Sequence, residues 1–176
     1  MTKVGIIGIG DMGSGIAKNL MANGFAVHGL DLDTERMQAF TKAGGIAAAN
    51  LAELARDASA VFVMVMTGAQ AEAVIFGEGG LAANMSDGTS IILTATIKPA
   101  ESEAIGKRLA DTAIHLIDSP VSGGFPGAQS GTLTMMAAGP EAALTACRPI
   151  MEAVSSTIHI VGDAAPKGQM IKACLQ

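Results

Sequence analysis

The chain has 176 residues, 49% of them apolar and 15% charged, with a formal net charge of -5. That is enough for one well-buried domain, and the composition excludes a disordered segment. The acidic balance, with no Lys/Arg run, excludes an electrostatic footprint for nucleic acid or a membrane surface. The two cysteines, Cys147 and Cys174, exclude a secreted disulfide framework.

In chain order, the first apolar run covers 3–9. It is too short and too soon broken by glycine to be a signal peptide, and no stretch of about 18 apolar residues follows to span a bilayer. A soluble, cytoplasmic protein is therefore expected. Further strands are predicted over 26–31, 60–66, 89–93, 114–118, 133–138 and 157–161. Most are continuous Val/Ile/Leu/Met runs, as parallel strands covered on both faces require. Helices are predicted between them over 13–23, 34–42, 51–56, 69–76, 99–110 and 140–153. Thr34 and Asn50 are candidate N-caps, Gly24, Gly44 and Gly77 candidate stops, and Pro99 and Pro140 suit first turns. This alternation predicts an α/β fold of Rossmann type: a doubly wound, mostly parallel sheet with helices on both faces. Ligands of such sheets bind beyond the carboxyl ends of the strands, so chemistry is sought in those loops.

The first loop reads Gly8-Ile9-Gly10-Asp11-Met12-Gly13, a G-x-G-x-x-G between a strand and a helix. Gly8 permits the tight turn, Gly10 the close approach of a pyrophosphate, and Gly13 close helix–strand packing. The amides of the first helical turn then face the phosphates. Asp31 ends the second strand, where a carboxylate accepts hydrogen bonds from the adenosine ribose. It also repels the extra phosphate of NADP, and neither Leu32 nor Asp33 is an arginine that would attract that phosphate. The cofactor read from this pattern is NAD. The loop-after-strand rule adds Met66 and Thr67 to its binding site. No metal site is expected.

Asp118-Ser119-Pro120-Val121-Ser122-Gly123-Gly124 follows another apolar strand. Ser122 and the amides of Gly123 and Gly124 offer donors suited to a carboxylate, although a plain glycine-rich connection explains the residues equally well. In the final segment Gly168, Lys172 and Gln176 recur every four residues and share one helical face. Taken by itself, Lys172 fits a solvated surface lysine.

Together these motifs resemble the β-hydroxyacid dehydrogenase family, which includes 3-hydroxyisobutyrate, tartronate-semialdehyde and threonate-type dehydrogenases. Residues 8–20 resemble its G-x-G-x-M-G-x-x-x-A-x-N-L opening, and 118–134 its D-S-P-V-S-G-G…G-T-L-T substrate loop. Residues 94–99 resemble its segment near the nicotinamide, which places Thr96 beside the cofactor. Gly168-x-x-x-Lys172 resembles its catalytic-lysine motif. The resemblance implies reversible hydride transfer between NAD and a small 3-hydroxy acid, with a weak lean to a threonate-like sugar acid. Lys172 and Gln176 would then be catalytic, and Ser122, Gly123 and Gly124 would bind substrate. It further implies an NAD-binding domain over 1–164, the start of an inter-domain helix over 165–176, and a C-terminal helical domain beyond it. A homo-oligomer is expected of the full-length protein.

Pro166 stands where the family usually has glycine, and Gln176 where it usually has asparagine. The alternatives are an imine-reductase-like enzyme using NADPH, against which Asp31 and Lys172 speak, and a non-catalytic NAD-binding module.

Overall fold

The computed structural model describes residues 1–175. In chain order it contains β1 (Lys3–Ile7), α1 (Asp11–Ala22), β2 (Ala26–Leu30), α2 (Thr34–Lys42), β3 (Ile46–Ala47) and α3 (Leu51–Ala55). There follow β4 (Ala60–Val63), α4 (Gly68–Phe76), α5 (Leu81–Asn84), β5 (Ser90–Leu93), α6 (Pro99–Leu109) and β6 (His115–Asp118). The last elements are β7 (Val121–Ser122), α7 (Gly124–Ser130), β8 (Leu133–Ala138), α8 (Glu141–Glu152), β9 (Ser155–Gly162) and α9 (Lys167–Cys174).

One sheet carries the fold, in the order β3-β2-β1-β4-β5-β6-β8-β7, with β9 beside β8. The six strands from β3 to β6 run parallel, which is the predicted doubly wound arrangement. The chain then doubles back: β8 runs antiparallel to both β6 and β7, with Asp118 opposite Ala138 and Val121 opposite Met135. The strand order reverses between β1 and β4, and such a switch point opens a crevice for a ligand.

Alternation along each strand divides the core between the two faces. Val4, Ile6, Phe62, Ile92 and Ile117 join one apolar cluster with α1, α7 and α8. Ile7, Val61, Val63, Ile91 and Leu93 join the other, with α3, α4 and α6. Both faces are covered, so both sets of side chains are apolar and the strands read as unbroken apolar runs.

Strands predicted to 9, 31 and 66 end at Ile7, Leu30 and Val63, because their last residues peel away into the loops that form the crevice. The N-cap of α2 is Asp33, not Thr34: the Asp33 carboxylate accepts from Glu35 N at 2.9 Å and Arg36 N at 3.2 Å. Asn50 caps α3 as predicted, accepting from Glu53 N. Pro140 sits at the N-cap of α8, one residue before the first turn. The glycine-rich stretch after Ser122 folds as α7 despite its low helix propensity. Docking on α1 decides this. A Cβ at Gly15 would come within 2.5 Å of the Ala128 backbone, and Asn19 Nδ2 donates to Gly15 O and Ala128 O, each at 2.8 Å.

Candidate functional site

The glycine loop joins β1 to α1, and two of its three glycines are forced by contact with backbone. Gly8 has φ +87°, and a Cβ there would overlap the Met64 carbonyl oxygen. A Cβ at Gly13 would overlap the carbonyl oxygen of Gly8 itself, so helix and loop close on one another only with glycine. Gly10 differs: a Cβ there would find only the Arg36 guanidinium, at 3.6 Å, so the space before it is open to a ligand. Gly10 is also the N-cap of α1 and offers no side-chain cap, which leaves the first amides of a twelve-residue helix free for an anion. Ile9 contributes through its backbone, since its side chain is in the core. Asp11 is exposed and Met12 half-buried at the start of the helix.

Asp31 stands across this loop at the end of β2, its side chain 9% exposed. Its Oδ2 accepts from Ile9 N at 2.6 Å and its Oδ1 from Asp33 N at 2.9 Å, so the carboxylate fixes the glycine loop and the start of α2 together. Leu32 and Asp33 are not arginines, but an arginine does reach this end of the site. Arg36, in the first turn of α2, places NH1 3.8 Å from Asp31 Oδ2 and Nε 3.5 Å from Asp33 Oδ2. Helical period brings positions 33 and 36 to one side, which was the available signal.

A cleft of about 500 Å³ runs between these groups, lined among others by Gly8, Gly10, Asp31, Leu32, Arg36 and Met66. Leu32 is 99% exposed and Met66 85%, two apolar side chains standing in solvent at its mouth. The Thr67 hydroxyl caps α4 by accepting from Gln70 N at 3.2 Å, while Gln70 Oε1 accepts from Met66 N and Thr67 N. That capping box holds the loop and commits the Thr67 side chain to it.

The remaining expected residues lie further along the same edge of the sheet. Thr96 is exposed in the loop between β5 and α6. Ser122 is half-buried in β7 opposite Thr134, and Gly123 and Gly124, with φ +123° and +57°, turn the chain into α7. Lys172 is half-buried in the last turn of α9. One turn earlier on its face, a Cβ at Gly168 would stand 2.5 Å from Asp118 O and 2.9 Å from Pro120 Cδ, so that face is pressed against the segment leading to Ser122. Gly8, Gly10, Asp31 and Met66 are thus gathered around one cleft. Thr96, Ser122 and Lys172 flank the next stretch of the edge, with no hydrogen bond among the three in the described residues. Gln176 lies outside the described residues.

Two buried polar residues stand behind this second group: Asp118, which opens the substrate-loop motif but was given no role there, and Gln169, which the motifs passed over. Asp118 is 0% exposed, and its Oδ2 accepts from Gln169 N at 3.0 Å. Burial pushes its carboxyl upward from the usual value, opposed by donors from Gln169, Ser102 and the Gly168 amide. Gln169 is 1% exposed. Its Oε1 accepts from Ile97 N at 3.1 Å and its Nε2 donates to Ala95 O at 2.9 Å.

A parallel sheet in this order, a glycine turn opening an uncapped helix, and an acid at the end of β2 define a dinucleotide-binding domain of Rossmann type. Residues 3–162 match the family described as the NAD binding domain of 6-phosphogluconate dehydrogenase, and the chain belongs to that family. It is 40% identical over 169 residues, 96% of its length, to an L-threonate dehydrogenase of Cupriavidus necator. It is 33% identical over 99% of its length to an NAD-dependent L-serine dehydrogenase of Pseudomonas aeruginosa. Among solved structures, a 3-hydroxyisobutyrate dehydrogenase from Salmonella typhimurium superposes with a TM-score of 0.94 at 32% identity, over 99% of this chain and 61% of that one. The chain spans 57% and 58% of the length of the two enzymes matched by sequence. The resemblance read from the motifs and the assignment of NAD both hold.

Proposed function

We propose that this domain serves an enzyme that moves a hydride between NAD and a small 3-hydroxy acid, with a threonate-like sugar acid as substrate. The observation that carries the cofactor half is the nearly buried Asp31 carboxylate, held on the glycine loop through Ile9 N. The substrate half leans on the likeness to the L-threonate dehydrogenase and on the pairing of Gly168–Lys172 with the Ser122 segment.

In this reading the free amides at the start of α1 hold the pyrophosphate, Asp31 accepts from the ribose hydroxyls, and Leu32 and Met66 cover the faces of the adenine. NAD, when bound, supplies the acceptor for the hydride. Thr96 borders the nicotinamide end. Ser122 and the amides of Gly123 and Gly124 bind the substrate carboxylate, and Lys172 takes the hydroxyl proton as the hydride leaves the adjacent carbon. Gln176 orients Lys172 or the substrate oxygen. Residues 1–164 form the cofactor domain and 165–176 begin the connection to a second domain. The complete protein acts as a cytoplasmic homo-oligomer.

The test is turnover of the complete protein on three- and four-carbon hydroxy acids with NAD, beside cyclic imines with NADPH. Lys172→Ala is expected to lower turnover by about 10²–10⁴-fold with NAD affinity unchanged. Lys172→Arg fails almost as badly, because guanidinium keeps its proton near neutral pH. Near-normal turnover of the arginine variant removes Lys172 as the proton carrier. Tight NAD binding without turnover on any acid favours a non-catalytic module, and imine reduction with NADPH overturns the assignment.

A further inference from the structure

We propose that Asp118 and Gln169 form a buried clamp that sets Lys172 against Thr96 and the Ser122 segment, making both of them positioning residues for proton transfer. The inference rests on the dehydrogenase reading of Lys172.

Helix α9 starts after Pro166, which gives it no side-chain cap. A helix start needs acceptors for its first amides. Here the acceptor comes from 51 residues away: Asp118 Oδ2 takes Gln169 N, where the helix dipole also favours a negative charge. Gln169 then grips the loop after β5 on both sides of Thr96, accepting from Ile97 N and donating to Ala95 O. Lys172 follows Gln169 by three residues on the same helix, and Ser122 follows Asp118 by four. The Asp118 carboxylate on the Gln169 amide and the Gln169 side chain on Ile97 and Ala95 therefore fix the spacing of three segments that the chain itself keeps far apart.

Core packing does not account for this choice of residues. Asp118 Oδ1 and the hydroxyls of Ser102 and Ser119 are buried without a hydrogen-bond partner of good geometry among the described residues. Such groups cost free energy that apolar side chains of similar size would not. What the polar pair supplies is direction: each bond names one backbone atom of a neighbouring segment, which apolar contact does not do.

The experiment compares wild type with Gln169→Met, Gln169→Glu and Asp118→Asn. In the 176-residue chain, amide exchange is read at Ile97 and across α9, and NAD affinity by calorimetry. In the complete protein, turnover per folded molecule and the KM values are read. Gln169→Met is expected to speed exchange at Ile97 and α9 by about 10-fold or more, as expected of local opening, with NAD affinity within about twofold of wild type. Turnover falls by about 10- to 100-fold without a rise in the KM for NAD, the size expected for misplacing a reacting group. Gln169→Glu keeps the acceptor for Ile97 N and loses the donor to Ala95 O, so it falls between Gln169→Met and wild type. Asp118→Asn keeps a carbonyl oxygen for Gln169 N but loses the charge, so exchange across α9 and turnover shift in the same direction as in Gln169→Met, by less. Unchanged exchange at Ile97, or wild-type turnover in a Gln169→Met protein with a lowered melting temperature, overturns the clamp. A wild-type protein without turnover on any hydroxy acid overturns the dehydrogenase reading instead, and exchange then decides the clamp by itself.

Discussion

Asp31→Asn separates charge from shape at the end of the cleft proposed for the ribose. Asp31→Asn keeps one carbonyl oxygen to take Ile9 N or a ribose hydroxyl, and removes the negative charge. Hydrogen bonds to a charged acceptor contribute about 1.5–3 kcal/mol and neutral ones about 1, so NAD is expected to bind roughly 10-fold more weakly. NADP responds in the opposite sense. A phosphate about 4 Å from the carboxylate would be repelled by up to about 4 kcal/mol at an effective dielectric of 20. Arg36 is half-exposed beside it, and solvent screens the pair, so about 2 kcal/mol is a sounder figure, close to a 30-fold preference for NAD. Asp31→Asn should bring the two cofactors near parity, because Arg36 NH1, now 3.8 Å from Asp31 Oδ2, is freed to meet the phosphate. Adding Arg36→Ala should remove the gain for NADP and leave NAD nearly as in the single variant. Calorimetry of the three proteins with both cofactors at low and high salt measures this. An unchanged NAD-to-NADP ratio in Asp31→Asn refutes Asp31 as the discriminating group, and a gain that survives Arg36→Ala refutes the part given to the arginine.

Gly13→Ala places a methyl group into the carbonyl oxygen of Gly8, where neither atom is at the end of a flexible side chain, so a loss of about 3 kcal/mol or more is expected. A melting temperature within about 2 °C of wild type would contradict that contact. Asp118 binds its proton more readily when folded than at the ordinary value of 3.8, so its contribution to stability is present below that value and is lost as pH rises through the raised one. Urea unfolding from about pH 4 upward should therefore show wild type losing stability relative to Asp118→Asn; the reverse slope would mean that the α9 amides outweigh burial. Ser122→Ala should raise the KM for the acid and leave NAD affinity alone, and equal loss of both would place Ser122 elsewhere.

The first βαβ unit was legible because its signals are local. Gly8–Gly13 and Asp31 sit at the ends of apolar runs whose two-sided burial makes them unmistakable strands. The parts that escaped depend on contacts between distant segments. Helix α7 has a glycine-rich sequence of low helix propensity and forms because it docks on Gly15 and Asn19 of α1. The two-residue strands β3 and β7 have no period to detect. Arg36 is hidden because it is not a sequence neighbour of Asp31, while the first turn of α2 returns its side chain to the same place. Gln169 looks like any polar residue on a short helix. Its meaning lies in Ala95 and Ile97, more than seventy residues away.

Glycine marks the site in the sequence, but glycines also mark ordinary stops, and what a side chain would strike shows which of them bring separate segments together. Gly24, Gly79 and Gly88 have positive φ and nothing within 4 Å of a Cβ, so they end or turn the chain and bring nothing together. Gly8, Gly13, Gly15 and Gly168 would each strike backbone: Met64 O, Gly8 O, Ala128 and Asp118 O. At those four places loop and helix rest on main chain with no side chain between. Backbone atoms do not repack as side chains do, so these contacts fix α1, α7 and α9 relative to the sheet more rigidly than apolar packing would. The helix proposed to face the cofactor, the segment proposed for the substrate and the helix that carries Lys172 are the three elements so fixed. Placing a group for hydride or proton transfer tolerates errors of well under an ångström. For the proposed reaction, a sheet edge built on glycine contacts supplies that precision before any ligand arrives.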